Sequence, residues 1–401
     1  MANVSSSNGL EKRPKLRFPG FDEPYRLTQL GDIASLVNRI DPKSNAPIMM
    51  LSAGNGFIMQ SEKYSRDNAG QSLKKYILLK QGELAYNHGA SKAKQFGCCY
   101  ELTEPEARIP YVYHCFKINE HEYTPYIAMT LNNPKMDKQL KRLVSSSVRM
   151  DGLLNISFED YMSVSLHLPS TNEQKRIANF IQKIDERIVA QEKLLASLKK
   201  YKRGAVQKLF SEMDMKQWEL VRLKDVVNIF DGTHQTPNYK TTGVRFISVE
   251  NILNPLATQK YISEDDYKKE FKVHPEYGDV LMTRIGDIGR TCYVNFDSDI
   301  AYYVSLALFK CSSKIDGRFL AAYISTNTFQ KELWERTLHI AFPKKINTGE
   351  IGECHIRLPS RERQIVIASY LDVIEKKIQL AEKQLNLMQL IKIGLMQQLF
   401  I

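Results

Sequence analysis

Residues 168–210 read LPSTNEQKRIANFIQKIDERIVAQEKLLASLKKYKRGAVQKLF, and residues 358–400 read LPSRERQIVIASYLDVIEKKIQLAEKQLNLMQLIKIGLMQQLF. The two blocks align without a gap, from Leu168 on Leu358 to Phe210 on Phe400, and 16 of the 43 positions are identical. Each block closes one half of the chain, so the order along the sequence is module, helix, module, helix. Such an internal repeat suits a protein that contacts two similar sites.

Both blocks place apolar residues at the alternating spacing of three and four residues that is typical of a coiled coil. Because such a seam is narrow, each helix needs a long, thin partner, and the other copy is the simplest one. We therefore predict an intramolecular antiparallel coiled coil; the alternative is that each helix packs back on its own module. The predicted seam residues are Ile177, Ile181, Ile184, Ile188, Leu195 and Leu198 in the first helix and Ile367, Leu371, Ile374, Ile378, Leu385 and Met388 in the second.

The duplication extends into the modules that precede the helices. Tyr25-Arg-Leu-Thr-Gln-Leu-Gly-Asp-Ile-Ala34 matches Trp218-Glu-Leu-Val-Arg-Leu-Lys-Asp-Val-Val227 in its aromatic, leucine and aspartate positions. Residues rich in aromatic and β-branched side chains predict matching strands, and each module then has an amphipathic helical segment. Pro134 is expected to break the first of these segments. The predicted strands lie in 82–88, 111–118, 278–284 and 301–309, and the helical segments near 124–142 and 318–337.

These patterns predict an α+β protein with two similar modules, related by tandem duplication and separated by the two long helices. We expect the segment 1–13 to form a tail without fixed structure. The predicted boundaries are residues 1–167 for the first module, 168–211 for the first helix, 212–357 for the second module and 358–401 for the second helix.

The composition is that of a globular protein with a polyanionic partner. The net charge is +11; residues 171–210 hold 10 Lys and Arg against 4 Asp and Glu, and residues 361–401 hold 6 against 4, so the helices carry +8 of it. This charge fits either a solvated helix surface or a basic surface near DNA. No apolar run is long enough to span a bilayer, and the segment 1–21 lacks a signal-peptide core, so we expect a cytoplasmic protein.

Motifs for catalysis or metal binding are missing from the sequence. It has no GxxxxGK[ST] phosphate loop, no HExxH or CxxC zinc pattern and no GxSxG nucleophile elbow. The six cysteines lack the usual zinc spacing and are interpreted as reduced core residues, so no metal site is predicted. We expect a protein that binds and positions, and leaves the chemistry to partners.

The order of several motifs, doubled around two long helices, resembles the specificity subunit of Type I restriction–modification systems. These motifs are PKLRFPGF at 14–21, LNISFEDY at 154–161, DGTHQTPNYKTTGVRFISVENI at 231–252, GDVLMTRIGDIGRTCYV at 278–294 and the doubled LPS…Q…IA helix. The resemblance covers nearly the whole chain. It implies two target-recognition domains, each of which reads one half of a split site in double-stranded DNA.

The resemblance also implies partners. In the family, the two helices pair as an antiparallel coiled coil that spaces the domains and docks two methylation subunits, which bind S-adenosylmethionine and methylate adenine. Two restriction subunits add ATP- and magnesium-dependent translocation and cleavage. The chain itself would then hold no cofactor and no active site. Two alternatives stay open: a methyltransferase or nuclease with an unrecognised catalytic motif, and an orphan DNA-recognition scaffold.

Polar and basic residues on loops between strands are the candidates for DNA contact. Arg and Lys recognise guanine, Asn and Gln recognise adenine, and Lys, Arg, Ser and Thr bind phosphate. For each candidate loop the alternative is an ordinary solvated or structural turn. The candidates are Asn87, His88, Lys92, Lys94 and Arg149 in the first module, and His234, Thr236, Arg284, Arg290, Lys344 and Lys345 in the second.

Overall fold

A computed structural model describes residues 13–63, 70–92, 94–144 and 154–401. The chain divides into two compact units, one made of Met1–Gln191 with Gln384–Ile401 and the other of Glu192–Lys383. The boundary between the units therefore falls near the middle of each long helix, so each helix contributes one half to each unit. The sequence prediction treats each helix as a separate segment. The boundary falls there because the start of one long helix and the end of the other pack into the core of the same unit. The predicted tail, residues 1–13, lies outside the described residues except for Arg13.

The first unit has a four-stranded antiparallel sheet in the order Ala34–Leu36, His114–Ile118, Leu84–Asn87 and Cys98–Glu101. Three two-stranded antiparallel sheets accompany it: Met49–Ser52 with Gly56–Met59, Ile77–Lys80 with Glu106–Ile109, and Arg26–Gln29 with Ser165–Leu168. The shorter helices are Leu30–Ile33, Gln60–Lys63, Thr124–Leu131, Asp137–Leu143 and Phe158–Met162, with 3₁₀ turns at Gly70–Lys75 and Pro134–Met136.

The second unit also has a four-stranded antiparallel sheet, in the order Val227–Asp231, Leu306–Cys311, Val280–Thr283 and Thr291–Tyr293. A three-stranded sheet joins Tyr261–Ile262, Val244–Ile247 and Ile300–Tyr302, the last two in parallel, and a pair joins Glu219–Arg222 with His355–Leu358. The shorter helices are Glu212–Met215, Glu264–Glu270, Gly317–Ile324, Asn327–Glu335 and Thr348–Gly352, with 3₁₀ turns at Leu223–Asp225 and Pro255–Ala257.

The internal repeat is visible in strand register. Arg26 lies opposite Leu168 in the first unit, and Glu219 lies opposite Leu358 in the second. The gapless alignment of the two helix blocks also pairs Leu168 with Leu358. In each unit the long helix therefore follows the two-stranded sheet at the same position. The predicted α+β content and both long helices are present.

Two of the predicted elements need correction. The segment 318–337 is not one helix, because Thr326 starts a second helix by accepting a hydrogen bond from the Phe329 amide at 3.3 Å. The segment 301–309 is not one strand either, because an isolated bridge at Tyr303 and a turn at 304–305 separate the strand Ile300–Tyr302 from the strand Leu306–Cys311. The predicted break at Pro134 is confirmed, since the preceding helix ends at Leu131 and a 3₁₀ turn begins at the proline.

The long helices span Thr171–Leu209 and Arg361–Leu399. All twelve predicted seam side chains are buried or half-buried. In the first unit Ile177 and Ile181 enter a core with Leu399 and Phe400. In the second unit the matching core contains Phe210, Ile367 and Leu371.

Polar contacts between the two helices show their direction. In the first unit the Asp185 carboxylate lies 2.5 Å from the Lys392 ammonium, and Gln191 donates to Gln384 at 3.2 Å. In the second unit Lys199 lies 2.7 Å from Glu382, and Lys202 lies 2.6 Å from Glu375. Residue numbers rise on one helix as they fall on the other, so the helices are antiparallel within each unit. These ion pairs are partly exposed and each contributes only about 0.2–1 kcal/mol.

Candidate nucleic-acid interface

Arg284 joins three loops of the second unit. It follows the strand Val280–Thr283 and is 6% exposed. Its Nε donates to the Val304 carbonyl at 2.9 Å and lies 3.0 Å from the Asp231 carboxylate, and its Nη1 donates to the Ile346 carbonyl at 3.0 Å. Asp231 begins the DGTHQTP loop, and Ile346 follows Lys344 and Lys345. The candidates of the second unit thus come together around one buried guanidinium, and we call these loops the Arg284 junction.

The first loop of the Arg284 junction carries His234 and Thr236. Both side chains are exposed. The Val304 amide donates to the Thr233 carbonyl at 2.9 Å, which fixes the start of the loop. Gly232 is required there, because an added Cβ would overlap the Tyr302 carbonyl oxygen.

The second loop carries Arg290. Thr283 fixes the two ends of this loop, because the Thr283 hydroxyl donates to the Asp287 carbonyl at 2.5 Å and accepts from the Arg290 amide at 3.0 Å. Gly286 and Gly289 have φ of 81° and 89°, values that favour glycine. The Arg290 side chain is exposed and bonds to Asp287.

The third loop carries the lysine pair. The Lys344 carbonyl accepts from the Gly286 amide at 2.8 Å, which attaches this loop to the second one. Both lysine side chains are exposed, and the Lys344 ammonium lies 4.3 Å from the centre of the Trp334 ring. Ile340 and Phe342 are 99% and 104% exposed on the same loop, and neither was predicted from the sequence. The apolar run HIAFP directly before two lysines was the signal available.

The burial of Arg284 favours a positioning role over the predicted contact with DNA, which stays a prediction. Its Nε and Nη1 are engaged by two carbonyls and a carboxylate, so the Nε side of the guanidinium is not available to a base edge. We therefore interpret Arg284 as the residue that positions the junction, and keep His234, Thr236, Arg290, Lys344 and Lys345 as candidates for DNA contact.

The first unit places His88 where the second has Arg284, at the end of the equivalent strand. The Leu154 amide donates to the His88 carbonyl at 2.9 Å, and the Ile346 amide donates to the Arg284 carbonyl at 3.0 Å. His88 is buried, with its ring centre 5.0 Å from that of His114. Its burial favours a positioning role in the same way, and the predicted contact of His88 with DNA stays a prediction.

Three further candidates of the first unit lie at the end of the strand Leu84–Asn87 or on the loop that joins it to Cys98–Glu101. The Asn87 side chain accepts from the Gly89 amide at 2.9 Å, which gives it a structural role in the turn. Lys92 is exposed, whereas the Lys94 ammonium donates to the Asn132 carbonyl at 2.5 Å. Arg149 lies outside the described residues.

The long helices leave a second surface outside their seam. Large apolar side chains are exposed on them in both units. In the first unit these are Phe180, Val189, Leu387, Leu390, Ile391 and Ile393, and in the second Leu194, Tyr201, Ile365, Val366, Tyr370, Val373 and Leu380. Exposed apolar side chains in this number indicate a protein-binding surface.

The described part of the chain lacks two further kinds of feature. Over those ranges no helix is long and apolar enough to cross a membrane. Within the same residues, no cluster of three or more His, Cys, Asp or Glu side chains is arranged to hold a metal ion.

Comparison with known proteins identifies the class. Residues 215–389 match the family described as Type I restriction modification DNA specificity domain. The MjaVIII specificity subunit, a Type I restriction enzyme component of Methanocaldococcus jannaschii, is 25% identical over 272 residues, or 62% of this chain. The match spans 64% of that relative, slightly under two thirds of its length.

Solved structures share the fold. The crystal structure of the S subunit of a Type I restriction–modification system from M. genitalium superposes with a TM-score of 0.63 at 14% identity, over 97% of this chain and 99% of that one. A structure described as the basis of complex assembly and conformational transition of the type I R-M system gives 0.55 at 17% identity, over 96% and 99%. The family match over residues 215–389 and the similarity to the MjaVIII specificity subunit confirm the resemblance stated from the sequence.

Proposed function

We propose that this chain is the DNA-reading subunit of a cytoplasmic Type I restriction–modification complex, and that its two units read the two halves of a split site in double-stranded DNA. The observation that carries the proposal is the Arg284 junction, where exposed cationic and polar side chains on three loops are held by one buried arginine. Such side chains suit base edges and phosphates, and the buried anchor orders the loops before DNA binds.

The exposed loop tip adds an apolar element to this surface. Ile340 and Phe342 project beside Lys344 and Lys345. Apolar side chains flanked by cations enter base steps and kink DNA in many minor-groove proteins. We assign Phe342 a contact with DNA that unstacks a base step, which lowers the cost of flipping a target adenine toward a partner.

The exposed apolar faces of the long helices are assigned to protein partners. We propose that they dock two methylation subunits, and that two restriction subunits join the assembly. S-adenosylmethionine and ATP with magnesium are assigned to those partners, and no cofactor or catalytic residue is assigned to this chain.

Single-molecule methylome sequencing of the source strain, with and without this chain, tests the proposal. We expect loss of methyladenine at one split motif with a nonspecific spacer. Replacing both His234 and Thr236 with alanine should alter only one half of that motif. An unchanged methylome in a strain that expresses the chain and its methylation subunit would refute the proposal, and methyl transfer by the purified chain alone would favour an enzyme.

A further inference from the structure

A segment of the chain itself occupies a groove between the long helices of the first unit. The Leu16 amide donates to the Gln398 carbonyl at 3.1 Å. Arg17 then donates through Nε and Nη2 to the Glu173 carboxylate at 2.9 and 2.8 Å, and Glu173 is 0% exposed. Phe18 follows, with its ring centre 5.5 Å from that of Phe180 in an edge-to-face arrangement. This stretch is therefore a bound peptide with one charged anchor and one aromatic anchor.

The second unit has the equivalent groove, and it is open. The groove has a volume of about 790 Å³, and its described lining comes from the two long helices. In the gapless alignment of the two helix blocks Phe180 corresponds to Tyr370, and Arg176 corresponds to Val366. Both second-unit residues line the groove. An aromatic ring seated like that of Phe18 would therefore meet an aromatic and an aliphatic side chain here.

The charge of the groove is reversed relative to the first unit. Glu173, which binds Arg17, corresponds to Arg363. Lys200 and Lys208 also line the groove, and no described lining residue is a carboxylate. A cationic anchor such as Arg17 would be repelled at this position, whereas a carboxylate would form charge-assisted hydrogen bonds. We call this site, lined by Lys200, Tyr201, Lys208, Arg363, Val366 and Tyr370, the basic groove.

We propose that the basic groove binds a segment of a methylation subunit in which an acidic residue lies next to an aromatic one, seated as Arg17 and Phe18 are in the first unit. This inference rests on the proposed function and names one contact of the proposed docking surface. A second copy of this chain does not fit, because its own stretch carries Arg13, Lys15 and Arg17. The apolar side chains in the groove favour a protein segment over a DNA phosphate backbone.

The proposal makes the two docking sites unequal. In the first unit the equivalent groove is filled by residues 16–18 of the chain, so a partner bound there gains nothing from it. In the second unit the basic groove adds a charged anchor and an aromatic anchor. One of two methylation subunits should therefore dissociate more slowly than the other.

The first experiment compares the full chain with Arg363→Glu in complex with the methylation subunit of its own system, by native mass spectrometry across a dilution series. We expect the wild-type chain to hold the methylation subunit docked on the second unit about tenfold more tightly than the variant does, because a carboxylate anchor would then face a carboxylate. Lys376→Glu is the matched control, since it makes the same charge change at an exposed position of the same helix outside the groove. Equal affinities for Arg363→Glu and Lys376→Glu would overturn the proposal.

A second measurement separates the groove from the proposed function. Fluorescent peptides PKLDFPGF and PKLRFPGF differ only at the anchor residue, which is acidic in one and basic in the other, and their binding to the full chain is followed by anisotropy. We expect the acidic peptide to bind the wild-type chain more tightly, and Arg363→Glu to reverse the preference. If no methylation subunit binds but this reversal is seen, the proposed function fails while the groove chemistry stands. No preference between the peptides, or a loss of DNA affinity in Arg363→Glu with unchanged subunit binding, overturns the groove proposal.

Discussion

Replacing Arg284 with methionine tests whether this residue orders the junction or contacts DNA itself. Methionine keeps much of the apolar stem and removes the guanidinium. The Val304 and Ile346 carbonyls would lose charged donors at 2.9 and 3.0 Å, which costs about 1.5 kcal/mol each. The Asp231 carboxylate is 33% exposed, so loss of its ion pair with Arg284 adds only about 0.5 kcal/mol. The expected loss of unfolding free energy is therefore about 3.5 kcal/mol.

Thermal unfolding of the full chain measures this loss. A change of this size should lower the Tm of the second unit by about 7–14 °C. Hydrogen exchange should accelerate at the Ile346 and Val304 amides, because both loops lose their shared anchor. Affinity for duplexes selected from a random-sequence pool should fall as a consequence of the disordered loops.

Arg290→Met is the matched control, since Arg290 lies on the same junction with an exposed side chain. We expect this control to change stability by less than about 0.5 kcal/mol. Its affinity for the selected duplexes should nevertheless fall. If Arg284→Met kept the wild-type Tm and hydrogen exchange but lost DNA binding, Arg284 would be a direct contact and the reasoning from its burial would be refuted.

Three further predictions concern the helices and the exposed loop. Introducing lysine at both Leu195 and Leu385 should destabilise the helix seam by about 2–4 kcal/mol and abolish methylation in a reconstituted complex; full methylation by that double variant would contradict the coiled-coil interpretation. Phe342→Ala should leave Tm unchanged and remove permanganate reactivity of thymines in a selected duplex; persistent reactivity would show that Phe342 does not unstack the DNA. Lys345→Ala should flatten the dependence of log affinity on log salt by about 0.9, and an unchanged slope would exclude a phosphate contact.

The long helices could be predicted from sequence because their signal is local and repeated. Apolar spacing predicts the seam, and the structure places the helices within three residues of the predicted ends. The shorter elements were harder. The segment 318–337 has helical periodicity throughout, and only the hydrogen bond from Phe329 to Thr326 shows that a new helix begins there. A single capping residue inside a periodic run is a weak sequence signal.

The candidate site was predicted as a set of loops, but not with the roles that the residues take. Arg284 follows a strand end and looks like an exposed reader of bases. Its partners Asp231, Val304 and Ile346 are distant in the sequence, and a local pattern cannot show that they meet. Phe342 was missed for the opposite reason, because an apolar residue in a loop is usually covered, and its exposure depends on the whole fold.

One backbone hydrogen bond next to the Arg284 junction is repeated in the first unit. The amides of Leu154 and Ile346 bond to the carbonyls of His88 and Arg284, so the backbone geometry is the same in both units while the side chains differ. A hydrogen bond between backbone groups does not depend on which side chains are attached. The exposed side chains of these loops can therefore change while the hydrogen bond that holds the loops stays intact. The grooves of the two units differ in the same way. Glu173 in the first unit binds Arg17, whereas Arg363 takes the equivalent place in the basic groove and is proposed to bind an acidic segment.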